Sequence, residues 1–115
     1  MAWERYVVQP APEQYAWGLS ARILVRLRGV FRGHGVREVL LFGSRATGNF
    51  HTGSDIDLCV KDRLTKATWT QLCSDVDSLD LLFGIDLVHF DEVPEAMRAN
   101  IEGDGVSFMA PSPEA

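Results

Sequence analysis

Residues 40–58 constrain this chain more than any other stretch. The apolar run Val39-Leu40-Leu41-Phe42 ends in Gly43-Ser44, and ten residues separate that serine from Asp55-Ile56-Asp57-Leu58, where a second apolar run begins. An uninterrupted apolar run suits a strand covered on both faces. In an extended segment, side chains two apart share a face, so Asp55 and Asp57 project together while Ile56, Leu58 and Val60 turn to the core. Two ionised carboxylates this close repel unless a cation neutralises them or one takes up a proton. An all-oxygen ligand set suits Mg²⁺, which takes one or two protein carboxylates and completes its shell with water and substrate phosphates. Glycine lets backbone approach a ligand closely, and the Ser44 hydroxyl can meet a phosphate. The stretch points to a metal-dependent nucleotide site.

Taken alone, Asp-x-Asp equally describes a solvated strand end. Asp86 adds to it, standing at the head of a third apolar run, Ile85-Asp86-Leu87-Val88. If that run pairs beside residues 55–60, its carboxylate joins the cluster as a metal ligand or as the base for an attacking hydroxyl. Two look-alike motifs fail. Gly43 and Gly48 have the spacing of a P-loop, but Asn49-Phe50 stands where that loop needs Lys and Ser/Thr. Asp75-Val76-Asp77 repeats the Asp-x-Asp pattern in a helical segment, where positions two apart diverge by roughly 200°. Asp75, Asp77 and Asp80 are therefore expected to form an acidic surface.

The rest of the chain reads as alternating elements. Pro10 and Pro12 disfavour a helix before residue 12 and suit a start just after it. From residue 13 to about 32, Ala16, Leu19, Ile23, Leu27 and Val30 recur at helical spacing, with Arg22, Arg26 and Arg28 on or beside the wet face. Gly33-His34-Gly35 ends this helix, with His34 as a turn residue. Residues 36–42 form the first strand and 44–48 a short helix whose free N–H groups favour an anion. Residues 49–53 form a loop and 55–60 the second strand. Thr65 caps a helix to about residue 79 that buries Trp69, Leu72, Val76 and Leu79. Residues 84–90 form the third strand, and Pro94 opens a short helix that turns Met97 and Ile101 inward. Residues 106–109 form an edge strand or packed tail, and 110–115 should fray. This order predicts one α/β (α+β) domain over 1–115, with its core at about 13–109 and a small mixed sheet flanked by helices.

Composition narrows the function. The chain has 115 residues, 46% hydrophobic and 23% charged, as in ordinary globular proteins. No apolar run approaches the roughly 20 residues of a membrane span, and the N-terminus lacks a signal-peptide pattern, so a cytoplasmic location is expected. Cys59 and Cys73 are too few for a disulfide framework and read as small buried hydrophobes. A net charge of −5 works against unaided binding of nucleic acid.

Gly43-Ser44, ten residues and Asp55-x-Asp57 together resemble the signature of the DNA polymerase β nucleotidyltransferase superfamily. The fuller string Phe42-Gly43-Ser44-Arg45-Ala46-Thr47-Gly48, followed by Gly53-Ser54-Asp55-Ile56-Asp57-Leu58, is similar to its smallest branch, the minimal nucleotidyltransferase (MNT) domains. The resemblance runs from about residue 36 to 101. It implies the polymerase-β-like fold, with Gly43, Ser44, Arg45 and Ser54 around the nucleotide. It also implies Asp55, Asp57 and Asp86 as catalytic carboxylates on two Mg²⁺ ions, with Asp86 as the base. ATP would donate AMP to an acceptor hydroxyl, with release of pyrophosphate. Arg45 would neutralise phosphate or, alternatively, pack the loop through a salt bridge.

Fewer than thirty residues follow Asp86, too few for an acceptor-binding domain, so the acceptor is expected on another protein. MNT proteins of this kind resemble antitoxins paired with a HEPN-family RNase toxin, some of which transfer AMP to a toxin tyrosine. The alternative within the same resemblance is an antitoxin that masks its toxin stoichiometrically, with Trp3, Tyr6 and Trp17 as interface anchors or as core. Transfer to a small molecule or to RNA is disfavoured by the missing acceptor domain.

Overall fold

The computed structural model describes residues 16–51 and 53–109. Helix α1 (Ala21–Gly33) leads to β1 (Val39–Phe42), the one-turn helix α2 (Ser44–Thr47) and β2 (Ile56–Val60). Helix α3 (Lys66–Asp77), β3 (Ile85–His89), a 3₁₀ turn (Phe90–Glu92), α4 (Glu95–Asp104) and β4 (Val106–Ser107) complete the order. The four strands form one mixed sheet in the order β3-β2-β1-β4, with β2 parallel to β3 and the other two pairings antiparallel. The α/β architecture expected from the sequence is present.

Strand alternation divides the core between the two faces. Val39, Leu41, Ile56, Leu58 and Val60 are buried on one face against Leu24, Leu27 and Phe31 of α1 and Leu72 and Val76 of α3. Phe108 completes this core, meeting Phe31 edge-on at 6.2 Å and stacking on Trp17 at 5.7 Å. Trp17 is partly buried and packs against this core, whereas Trp3 and Tyr6 lie outside the described residues. The other face carries a smaller cluster of Leu40, Phe42, Cys59, Val88, Val93 and Ile101. Helix α4 covers the β1 side of that face and leaves the leading ends of β2 and β3 open.

Several sequence expectations need correction. The first helix begins at Ala21 rather than residue 13; residues 13–15 lie outside the described residues. Trp17 and Gly18 take left-handed backbone (φ 56° and 76°), so Ala16 and Leu19 exchange hydrogen bonds of 3.1 and 2.8 Å across a tight turn. Ser20 then caps the helix. The first strand starts at Val39, since the Val36 N–H is taken by the Phe31 carbonyl at 2.9 Å. Met97 does not turn inward but is 37% exposed, unlike the buried Ile101. Arg28 is not a solvated cation: its Nε donates to the Phe108 carbonyl at 2.8 Å, and its guanidinium lies over the Phe108 ring. Asp75 is not a bare surface carboxylate, because His34 at the end of α1 meets it at 2.7 Å. That hydrogen bond, with a second from Gln71, holds the Asp75 carboxyl below the usual range. Thr65 caps α3 as expected, and residues 106–107 pair with β1 as an edge strand.

Candidate active site

Sheet register brings the acidic residues together. Asp57 on β2 lies beside Asp86 on β3, and on its other side faces Phe42 of β1, whose next residues are Gly43 and Ser44. Paired residues in neighbouring strands point to the same face, and alternation puts Asp55 there too. This is the face that α4 leaves partly open. Asp55 and Asp86 are exposed, and Asp57 is half-buried between them.

Two glycines pack directly against the carboxylates. Gly43 takes φ +75° and ψ −156°, a conformation nearly exclusive to glycine, and a Cβ there would fall on the Asp57 Oδ2 atom. A Cβ on Gly84 would stand 2.6 Å from Asp55 Oδ1. The segment before β3 therefore carries a steric reason for its glycine, which strand patterning alone did not reveal. Gly43→Ala is expected to cost about 1–3 kcal/mol of stability through backbone strain. It should also lower activity more than tenfold by displacing Asp57; thermal melting and steady-state rates check the two effects separately.

Burial pushes the Asp57 carboxyl above the ordinary carboxylate range, and Asp86 and then Asp55 push it the same way. The folded protein thus holds this proton to higher pH than the unfolded chain does. The resulting stabilisation is complete below the unfolded pKa and is lost as pH rises through the folded one, leaving ionised Asp57 as a cost at neutral pH. Asp57→Asn, measured with chelator at pH 7, should raise the Tm by about 2–4 °C, allowing for the solvent that still reaches the group. The gain should vanish below about pH 3, where the aspartate is protonated in both states.

Arg45 packs against the loop that leads into this acidic group, and Ser54 belongs to that loop. Arg45 is 2% exposed. Its guanidinium donates to the Ser54 carbonyl from Nε (3.2 Å) and Nη2 (2.9 Å), and to the Trp17 carbonyl from Nη1 (2.9 Å). It also lies over the rings of Phe50 and Phe83, at 5.1 and 5.0 Å. The Ser54 hydroxyl accepts from the His51 N–H at 2.9 Å, closing the turn before β2. These bonds hold the loop that leads into Asp55. Among the described residues, Arg45 packs this loop through carbonyls and aromatic rings, contacts that sequence spacing could not give because Trp17, Phe50 and Phe83 come from distant segments.

Among the described residues, no three His, Cys, Asp or Glu side chains close on one point as a finished metal site. The arrangement is an open row of carboxylates, with the central one desolvated and repelled by its neighbours. That donor set fits a hard cation such as Mg²⁺, which keeps waters and takes substrate phosphate oxygens as further ligands.

Residues 26–114 match the family model described as "Polymerase beta, Nucleotidyltransferase". No protein of curated function matches the chain. Among solved structures, one chain of a toxin–antitoxin complex with AMP-PNP is similar with a TM-score of 0.59 and 22% identity, over 79% of this chain and 76% of that one. The complex of a tri-AMPylated Shewanella oneidensis HEPN toxin with its MNT antitoxin gives 0.53 and 19%, over 79% and 72%. An MntA–HepT toxin–antitoxin complex gives 0.52 and 19%, over 79% and 73%. At these identities the likeness establishes a shared fold. The family match reaches from within α1 to beyond β4 and takes in every residue of the acidic row, so this chain belongs to the polymerase beta nucleotidyltransferase family.

Proposed function

We propose that this chain is a Mg²⁺-dependent adenylyltransferase that moves AMP from ATP to a hydroxyl of a partner HEPN-family toxin, and thereby acts as an antitoxin. The observation that carries the reading is the register of Asp57 against Asp86, with Gly43 packed on the Asp57 carboxylate. Support for the partner comes from the structural relatives, two of them a complex with AMP-PNP and an AMPylated HEPN toxin held by an MNT antitoxin.

Asp55, Asp57 and Asp86 would hold the metal, which would neutralise the triphosphate and polarise the α-phosphate. The triphosphate would run past Gly43 and Ser44, the glycine admitting close backbone approach and the serine offering a hydroxyl. Asp86 takes the proton from the acceptor hydroxyl as its oxygen attacks the α-phosphorus. A new P–O bond forms there, and the bond to the β-phosphate oxygen breaks, releasing pyrophosphate. Arg45, through the Ser54 carbonyl, fixes the segment from which Asp55 projects.

Mass spectrometry of the partner toxin co-expressed with this chain tests the proposal. An AMP-sized increment on a hydroxyl side chain, absent with Asp86→Asn, is the expected result. An unmodified toxin that is nevertheless neutralised, equally well by wild type and by Asp86→Asn, would replace catalysis with masking.

A further inference from the structure

Asp55 is the outermost carboxylate of the row, and β3 brings a glycine beside it. The parallel register pairs Ile56 with Ile85 and Asp57 with Asp86, so one step earlier it sets Asp55 beside Gly84. The Ile56 N–H donates to the Gly84 carbonyl at 2.8 Å, which holds that step in place. Neighbouring positions on two strands share a face, so the head of this face carries Asp55 and Asp57 on β2, and Gly84 and Asp86 on β3. The space left by the glycine is filled. A Cβ on Gly84 would stand 2.6 Å from Asp55 Oδ1 and 3.2 Å from its Cγ, closer than non-bonded atoms pack. The Asp55 side chain therefore leans from β2 over β3, the strand that carries Asp86.

Backbone conformation does not call for this glycine. Gly18, Gly35, Gly43 and Gly48 take positive φ, whereas Gly84 does not, so an alanine there would carry no left-handed strain. Nor are the strands free to part. Arg45 lies over the Phe83 ring at 5.0 Å and donates to the Ser54 carbonyl from Nε and Nη2, clamping the residue before Gly84 to the residue before Asp55. The carboxylate is the part that can yield. Asp55 is exposed, and among the described residues no hydrogen bond holds its oxygens. Resting on the nucleotidyl-transfer reading, we infer that Gly84 is a positioning residue, whose missing side chain seats the Asp55 carboxylate on the Asp86 side of the row. A side chain at residue 84 turns Asp55 into another staggered rotamer, and the row loses its outer donor while the fold stands. Gly43 differs, because a side chain there adds backbone strain to its clash with Asp57.

The test compares Gly84→Ala with the wild type, first with chelator and then along a Mg²⁺ titration. Without metal, the variant should melt no more than about 3 °C below the wild type. In the same metal-free samples, three-bond couplings of isotope-labelled protein should show a changed Asp55 χ1 rotamer. The Mg²⁺ concentration at the midpoint of the rise in Tm should increase at least fivefold. An unchanged Asp55 rotamer, or a smaller increase in that midpoint, would overturn the inference. A larger fall in the metal-free Tm would overturn it too, by making Gly84 a residue of the fold. A wild type whose Tm ignores Mg²⁺ would instead sink the nucleotidyl-transfer reading, while the metal-free rotamer still decides whether Gly84 seats Asp55.

Discussion

Replacing Asp55 and Asp57 together by asparagine is expected to lower AMP transfer by about 10³-fold or more while leaving the fold standing. Both positions lie on the open end of the sheet face, Asp55 exposed and Asp57 half-buried, so near-isosteric amides fit without repacking. What disappears is charge: the row loses two of its three carboxylates and with them the donors that the proposed function assigns to a divalent cation. Relief of repulsion at Asp57 makes the double variant at least as heat-stable as the wild type without divalent ions. Mg²⁺ should raise the Tm of the wild type and not of the variant, by ligand linkage. Transfer rates and melting curves, with and without Mg²⁺, give the full pattern. Loss of activity together with collapse of the fold would mean that the carboxylates are structural.

Arg45→Ala should produce the largest loss of stability, about 3–4 kcal/mol, read as a fall in Tm of 10 °C or more. The guanidinium is buried and, among the described residues, makes three hydrogen bonds to two backbone carbonyls between the rings of Phe50 and Phe83. Alanine would leave the Ser54 and Trp17 carbonyls without these donors and open a cavity between the rings. Burial lowers the Arg45 pKa, but a guanidinium stays protonated at any working pH, so this loss should not depend on pH near neutrality. Lysine at this position should recover little, because one ammonium cannot reproduce a planar fork aimed at two carbonyls. Amide exchange should rise first at Ser54 and Asp55. Activity should fall too, since the segment carrying Asp55 loses its strut.

The acidic row was legible in sequence because its information is local. Strand alternation and the spacing from Ser44 to Asp55 and Asp57 survive without any knowledge of packing, and Asp86 announced itself at the head of an apolar run. What could not be read depended on contacts distant in sequence. The place of Arg45 between Phe50 and Phe83, beneath Trp17, spans most of the chain. The start of α1 was misplaced because apolar periodicity continued through Ala16 and Leu19, while the left-handed pair Trp17-Gly18 had already broken the helix. Met97 fits the inward stripe of α4 on spacing alone, but that helix covers only part of its sheet face, and Met97 falls at the uncovered margin, lining an open hollow with Trp69 and Val88.

The most direct test of the central claim incubates this chain and the proposed HEPN-family partner with Mg²⁺ and ATP labelled at either the α- or the γ-phosphate. Nucleotidyl transfer predicts that the α-label becomes covalently attached to the partner while the γ-label leaves in pyrophosphate, and that both outcomes vanish with the Asp55→Asn/Asp57→Asn variant. A γ-label retained on the partner, or released as free phosphate without modification of the partner, would contradict it.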